Sequence, residues 1–205
     1  MRVASRSVEI ERKFDVGPGV AVPDWTGAPG VASVSAGEPR HLDALYLDTA
    51  DGQLASSGVA LRRRTGGPDE GWHIKGPLVD GARVELAWPL GSGAETEIPE
   101  ALLPELARWT DAPRFLPLAR IVNDRTAYTL RDAAGGVVAE FVDDHVVATD
   151  LRTSVERAWS EWEMELGPAA PGDHEAFFSA VERIALGAGA TAPSSASKLA
   201  RALGR

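Results

Sequence analysis

The amino-acid sequence predicts an α+β fold built on an antiparallel sheet of about eight strands. Three observations point there. Short segments of two-residue alternation fill most of the chain. Gly, Pro and Asp clusters separate them at hairpin spacing. Helical periodicity is confined to one insertion and to the C-terminal stretch.

The elements follow in order. Residues 7–14 form a strand with its charges on one face, stopped by Gly17-Pro18-Gly19. Residues 41–48, HLDALYLD, alternate apolar and polar as a half-buried strand does. Residues 59–64 follow the turn signal Ser56-Ser57-Gly58. Residues 71–75 and 82–89 flank Gly76-Pro77 and Asp80-Gly81, which reads as a hairpin. Leu102, Leu103, Leu106 and Trp109 place a helix over 99–109. Residues 125–131 and 137–142 form a second hairpin, and 159–166 the last strand. Asp173 reads as the N-cap of a helix over 174–186 that buries Phe177, Phe178, Val181 and Ile184. The small residues of 188–197 read as a hinge before a final helix over 195–203.

The 205 residues suffice for one large domain with a substantial core, and one domain over residues 1–205 is expected. No apolar run reaches the length of a membrane span, and residues 1–13 lack the core of a signal peptide. Cysteine is absent, which removes disulfides and thiolate metal sites, and the cytoplasm is the default compartment. A net charge of −9 argues against non-specific nucleic-acid binding. The pattern of charge says more than its sum.

In a strand, residues i, i+2 and i+4 share a face. Glu9, Glu11 and Lys13 therefore point one way, over roughly 13 Å at about 3.3 Å per residue. Glu161, Glu163 and Glu165 do the same late in the chain. Three like charges on one face repel unless a cation sits among them, and hard divalent cations prefer carboxylate oxygens. The matching cations recur at two-residue spacing: Arg62 with Arg64, His73 with Lys75, Arg83 with Glu85, then Arg125 and Lys198. Each alone reads better as a solvated surface charge than as a ligand contact. If the sheet closes with its polar faces inward, it forms a lumen with carboxylates on one side and Arg and Lys on the other. A metal-bound polyphosphate satisfies both, since its oxygens accept from guanidinium forks and the metal bridges to carboxylates. No glycine-rich phosphate loop is present, so side chains would do the binding.

With these residues in order, the chain resembles the CYTH family of triphosphate tunnel metalloenzymes. The matches are ExExK at Glu9 to Lys13, YxDT at Tyr46 to Thr49, LRxR at Leu61 to Arg64, WxxK at Trp72 to Lys75, RxE at Arg83 to Glu85, Arg125, an aspartate at 143, ExExE at Glu161 to Glu165, and SKxxR at Ser197 to Arg201. They span about residues 7–203. The resemblance implies an eight-stranded antiparallel β-barrel, the triphosphate tunnel, with flanking helices. It implies metal binding, by Mg²⁺ or Mn²⁺, at Glu9, Glu11, Asp143, Glu161, Glu163 and Glu165, with the exact set open. Asp143 or Asp144 is the functional aspartate, and the spacing to Val146 favours Asp143. Arg62, Arg64, Lys75, Arg83, Arg125 and Lys198 would hold the triphosphate, Lys13 would sit at the reacting phosphate, and Glu85 would orient the basic residues.

The implied activity is metal-dependent triphosphate hydrolysis. The family also contains thiamine triphosphatases and class IV adenylate cyclases. Residues 51–58, DGQLASSG, carry no aromatic platform for an organic ring, which favours inorganic triphosphate. Trp25 and Trp109 are alternative candidates for a mouth. A rival reading is a non-catalytic polyphosphate-binding module associated with a helical CHAD domain, which would join after Arg205. Many relatives pair as homodimers along the barrel wall. No nucleic-acid or membrane partner is implied.

Overall fold

The computed structural model describes residues 5–112 and 114–205. Among the described residues, nine strands form one antiparallel sheet: β1 (Ser5–Val16), β2 (Ser33–Val34), β3 (Glu38–Asp48), β4 (Ala60–Thr65), β5 (Gly71–Val79), β6 (Ala82–Trp88), β7 (Leu116–Arg131), β8 (Val137–Asp150) and β9 (Val155–Leu166). The pairing runs β7-β3-β4-β5-β6-β1-β9-β8, and β7 also pairs with β8, so eight strands close into a barrel. The two-residue β2 lies outside the ring, paired to the end of β7.

Much of the barrel's outer wall is covered by apolar packing, and most of its lumen is polar. On the outer faces of β1, β7, β8 and β9, Phe14, Leu130, Phe141, Trp162 and Met164 form one core. Helix α3 covers it. Within the run of helices α1 (Gln53–Ser56), α2 (Leu103–Leu106), α3 (His174–Gly187) and α4 (Lys198–Ala202), α3 alone spans several turns. Asp173 caps α3 by accepting from the Ala176 amide at 2.9 Å, and Phe177, Phe178, Ala180, Val181 and Ala185 are buried. Trp25 stacks against Phe141 at 4.8 Å, and Phe141 meets Trp162 edge-on at 5.6 Å. Such pairs add about 0.5–1.5 kcal/mol each beyond area burial. On the opposite wall, Leu45, Leu47, Leu61, Trp72, Ile74 and Trp88 pack under Leu54 of α1, Leu102 and Leu106.

The third apolar cluster is inside. Ala44, Tyr46, Ala119, Ile121, Val146 and Ala148 face Ala202, Leu199 and Leu203, so α4 stops one end of the barrel. This explains the largest departure from the sequence reading. β7 and β8 run for 16 and 14 residues, not over 125–131 and 137–142 alone. Where α4 fills the lumen, their inward residues are apolar while Arg120, His145 and Thr149 stand on the outer face, so the pattern of polar inside and apolar outside is lost. Arg125 therefore lies mid-strand. The helix expected over 99–109 is a 3-10 turn (Glu100–Leu102) followed by the single turn of α2. Residues 188–197 are not a free hinge: Thr191 exchanges backbone hydrogen bonds with Asp15 at 3.0 and 2.9 Å, and the Ser194 amide donates to the Asp15 carboxylate at 3.1 Å. α4 is shorter than expected and is capped by Ser197, which accepts from the Ala200 amide at 3.1 Å.

Candidate metal and phosphate site in the tunnel

The pleat that sends Val8, Ile10 and Phe14 outward sends Glu9, Glu11 and Lys13 into the lumen. Each neighbouring strand does the same with its polar residues. The resulting cavity, about 220 Å³, is lined by Arg62 and Arg64 of β4, Lys75 of β5, Arg83 of β6, Arg125 of β7, Glu163 and Glu165 of β9, and Lys198 of α4. A second cavity of about 410 Å³, lined by Ser5, Ser7, His73 and Glu85, shares Glu9, Asp69, Glu140 and Glu165 with it. The tunnel thus widens at the end away from α4.

At the α4 end, oxygens of Asp144, Glu161 and Glu163 lie within 4.8 Å of one another, all three residues buried. The Lys198 ammonium sits among them, 2.8 Å from Asp144, 2.6 Å from Glu161 and 2.8 Å from Glu163. Arg125 forks onto Asp144 with two bonds of 2.7 Å and reaches Glu163 at 3.0 Å. Lys13 pairs with Glu163 as well as with Glu11. Burial alone would raise both carboxyls. Lys13, Lys198 and Arg125 hold Glu163 well below the usual carboxylate range, and Lys198 with Arg125 lowers Asp144. Burial would lower the Lys198 ammonium, but Asp144, Glu163 and Glu161 hold it well above its ordinary value. Three converging oxygen donors already gathered around a cation are a donor set suited to a hard divalent ion.

Across the lumen, Lys75 donates to Glu9 at 2.8 and 2.9 Å and lies 3.2 Å from Glu85. Glu85 also pairs with His73 and accepts from Arg62 at 3.3 Å. Burial and the hydrogen bond with Glu85 push Glu9 up to about 8. Against burial, His73, Glu9 and Arg62 hold Glu85 far below the carboxylate range. Burial and then the Glu11 charge push Glu165 up to about 7. Burial, Arg62 and Arg125 lower Arg64 to about 9. The Nε atoms of Arg62, Arg64 and Arg83 are buried without a partner, as is Oδ1 of Asn123. The three guanidinium groups stand ready for oxygens the protein does not supply, and the Asn123 oxygen for a donor.

A model of the CYTH domain matches residues 7–203. The chain belongs to the CYTH family. It is 37% identical over 213 residues to the uncharacterized proteins MT2285 and Rv2226 of Mycobacterium tuberculosis, an alignment covering 98% of this chain and 41% of each of them. The chain thus spans about two fifths of the length of these relatives. Among solved structures it resembles a putative adenylate cyclase from Bacillus halodurans, with TM-score 0.58, 16% identity and coverage of 96% of this chain and 97% of that one. It also resembles a putative adenylyl cyclase from Hippeastrum, described as having a dominant triphosphatase activity, with TM-score 0.57, 17% identity and coverage of 96% and 95%. These likenesses show the CYTH tunnel fold.

Within that fold, the sequence-derived site residues converge with one exception. Glu9, Glu11, Lys13, Arg62, Arg64, Lys75, Arg83, Arg125, Glu163, Glu165 and Lys198 line the tunnel, Glu161 joins its buried acidic cluster, and Glu85 lies at the wider end. Asp143 does not enter. It points to the outer wall, accepts from Trp162 Nε1 at 3.0 Å, and is raised by burial. Asp144 takes the inward place. The spacing argument failed because inward residues of β8 are even-numbered: Glu140, Val142, Asp144 and Val146 share one face. Among the further lining residues, Arg40, Asp69, Asn123 and Glu140 escaped the sequence reading. Two-residue spacing from Arg125 gives Asn123, and from Asp144 gives Glu140. The YxDT stretch divides its labour: Tyr46 faces the lumen, whereas Asp48 accepts from the amides of Thr49, Leu54 and Ala55 and anchors α1. Trp25 and Trp109 belong to the outer cores, not to a mouth.

Proposed function

We propose that this CYTH chain hydrolyses inorganic triphosphate to pyrophosphate and phosphate in a reaction dependent on Mg²⁺ or Mn²⁺. One observation carries the reading. Buried carboxylates gathered within 4.8 Å share a lumen with three guanidinium groups whose Nε atoms lack partners. A polyanion alone would be repelled by the first set, and a metal alone by the second.

Asp144, Glu161 and Glu163 would hold the ion, with Glu9, Glu11 and Glu165 as further carboxylates of the same lumen. When bound, a divalent ion neutralises phosphoryl oxygens and lowers the pKa of a neighbouring water. Arg62, Arg64, Arg83 and Arg125 offer guanidinium forks to the charge that spreads over the equatorial oxygens as the phosphoryl group transfers. Lys13 and Lys75 add point charges. Because these groups sit on strands of a closed barrel, their geometry is set before the ligand arrives. The lining supports the inorganic substrate. Its aromatic member among the described residues is Tyr46, in the apolar end beneath α4, and no ring platform flanks the wider end. The triphosphatase described for the Hippeastrum relative is in keeping with this chemistry. The carboxylates also favour an enzyme over a passive polyphosphate binder, which would need the basic residues alone.

The test is phosphate release from inorganic triphosphate, thiamine triphosphate and ATP, each with Mg²⁺, Mn²⁺ or chelator. Release should be fastest from inorganic triphosphate, absent in chelator, and lost in Glu9→Gln and Glu11→Gln chains that melt as the wild type does. Absence of metal-dependent release from all three sinks the enzyme reading.

A further inference from the structure

One loop at the tunnel rim is absorbed neither by the family motifs nor by the mechanism above. Residues 66–70, GGPDE, join β4 to β5. Gly66 and Gly67 both take φ of +79°. A Cβ on Gly66 would stand 2.0 Å from the His41 carbonyl oxygen, and one on Gly67 would stand 2.8 Å from Leu42 Cδ2. The turn is therefore wedged against β3 in a shape glycine alone adopts readily. It delivers Pro68 and Asp69 to the lining of the tunnel.

There the Asp69 carboxylate pairs with Arg64. The Asp69 carbonyl oxygen accepts from Arg64 Nη2 at 3.3 Å and lies 3.0 Å from His73 Nε2, contacts that fix the loop's position. The two partners differ sharply in environment. The Arg64 side chain is 6% exposed and that of Asp69 is 60% exposed. The tunnel's other cations are paired differently. Arg62, Lys75 and Arg125 are held by carboxylates carried on strands, namely Glu85, Glu9 and Asp144. Asp69 is a loop carboxylate standing largely in water, so it can leave Arg64 at little cost.

We propose that Asp69 competes with the ligand's phosphate for Arg64 and so weakens retention of the pyrophosphate product and speeds its release. This rests on the triphosphatase reading. A triphosphate makes enough contacts along the tunnel to displace the carboxylate. A pyrophosphate, one phosphate shorter, meets the same competition with fewer contacts to hold it, and Asp69 closes back on Arg64 as it leaves.

The experiment is calorimetric titration of pyrophosphate with Mg²⁺ into the full chain and its Asp69→Asn variant, beside inhibition of triphosphate hydrolysis by pyrophosphate. The variant should bind pyrophosphate about three- to five-fold more tightly, the range expected for removing a half-exposed competing pair, and should be inhibited at correspondingly lower pyrophosphate concentration. Its melting temperature should match the wild type. A variant that merely disturbed the loop would bind more weakly, so tightening separates competition from damage. Equal or weaker binding overturns the proposal while leaving the triphosphatase reading intact. Binding that tightens in a chain with no hydrolytic activity supports the competition and overturns the enzyme reading instead. No binding by either chain overturns both.

Discussion

Lys198 offers the sharpest test of whether the acidic cluster is a cation site. Its ammonium lies 2.6–2.8 Å from three carboxylates, its side chain is 14% exposed, and it is carried by the five-residue α4. Lys198→Met keeps the length of the side chain and removes the charge. Removing one partner of a buried ion pair costs about 3–5 kcal/mol, because the remaining charge is left uncompensated. Arg125 still serves Asp144 and Glu163, and Lys13 still serves Glu163, so the lower end applies. At about 2–4 °C per kcal/mol for a chain of this size, a loss of about 3 kcal/mol lowers the melting temperature by roughly 6–12 °C in chelator. Divalent metal should then reverse the loss. An ion present at a hundred times its Kd contributes about 2.7 kcal/mol, close to what was removed. The wild type should gain less, since there the ion must displace an ammonium. Thermal melting with EDTA, Mg²⁺ and Mn²⁺ reads this directly. A variant that melts within about 2 °C of the wild type in EDTA, or equal metal stabilisation of both chains, would refute the argument that these carboxylates need a cation.

Two further outcomes follow from the geometry. Asp144→Asn should lower metal-dependent phosphate release by roughly 100-fold or more, the scale of losing one preorganised electrostatic group, whereas Asp143→Asn, on the outer wall, should stay within a few-fold; the reverse ranking would restore the sequence-based choice. Stability in chelator should fall as pH rises from about 6.5 to 8: Glu9 and Glu165 are raised to about 8 and about 7, so the folded chain binds more protons than the unfolded one above pH 4.5 and loses that stabilisation as each deprotonates. His73, lowered by burial to about 4, opposes this trend between pH 4 and 6.5, because there the unfolded chain binds the extra proton. Chemical denaturation across pH should show the decline, and Glu165→Gln should flatten it near pH 7; a stability that keeps rising to pH 8 contradicts the assignment.

What could be read from the sequence, and what could not, divides along the barrel axis. On β1, β4 and β9 the lumen face is charged and the outer face mostly apolar. Two-residue alternation there is strong enough to assign Glu9, Glu11, Lys13, Arg62, Arg64 and the 161–165 glutamates to one lumen before any coordinates. At the α4 end, Ala119, Ile121, Val146 and Ala148 point inward against Ala202 and Leu199, while the outer face mixes Leu118, Val122 and Val147 with Arg120, His145 and Thr149, so the pattern of polar inside and apolar outside is lost. The strands were cut short for that reason. With β8 read only to 142, Asp143 closes the strand and the spacing to Val146 favours it, although continuous alternation from Glu140 sends Asp144 inward. Asn123 was missed for the same cause, on a stretch of β7 that the truncated reading left out, whereas Arg40 lies on β3 just before the strand read over 41–48. Asp69 is a different case. No periodicity can place a loop residue against Arg64, because that contact depends on two glycines fitting under β3, and it is visible only once the chain has folded. Strand-borne chemistry is thus legible from spacing, while the groups that modulate it from a plug helix or a rim loop depend on tertiary fit, and those are the positions where Lys198→Met and Asp69→Asn put the reading at most risk.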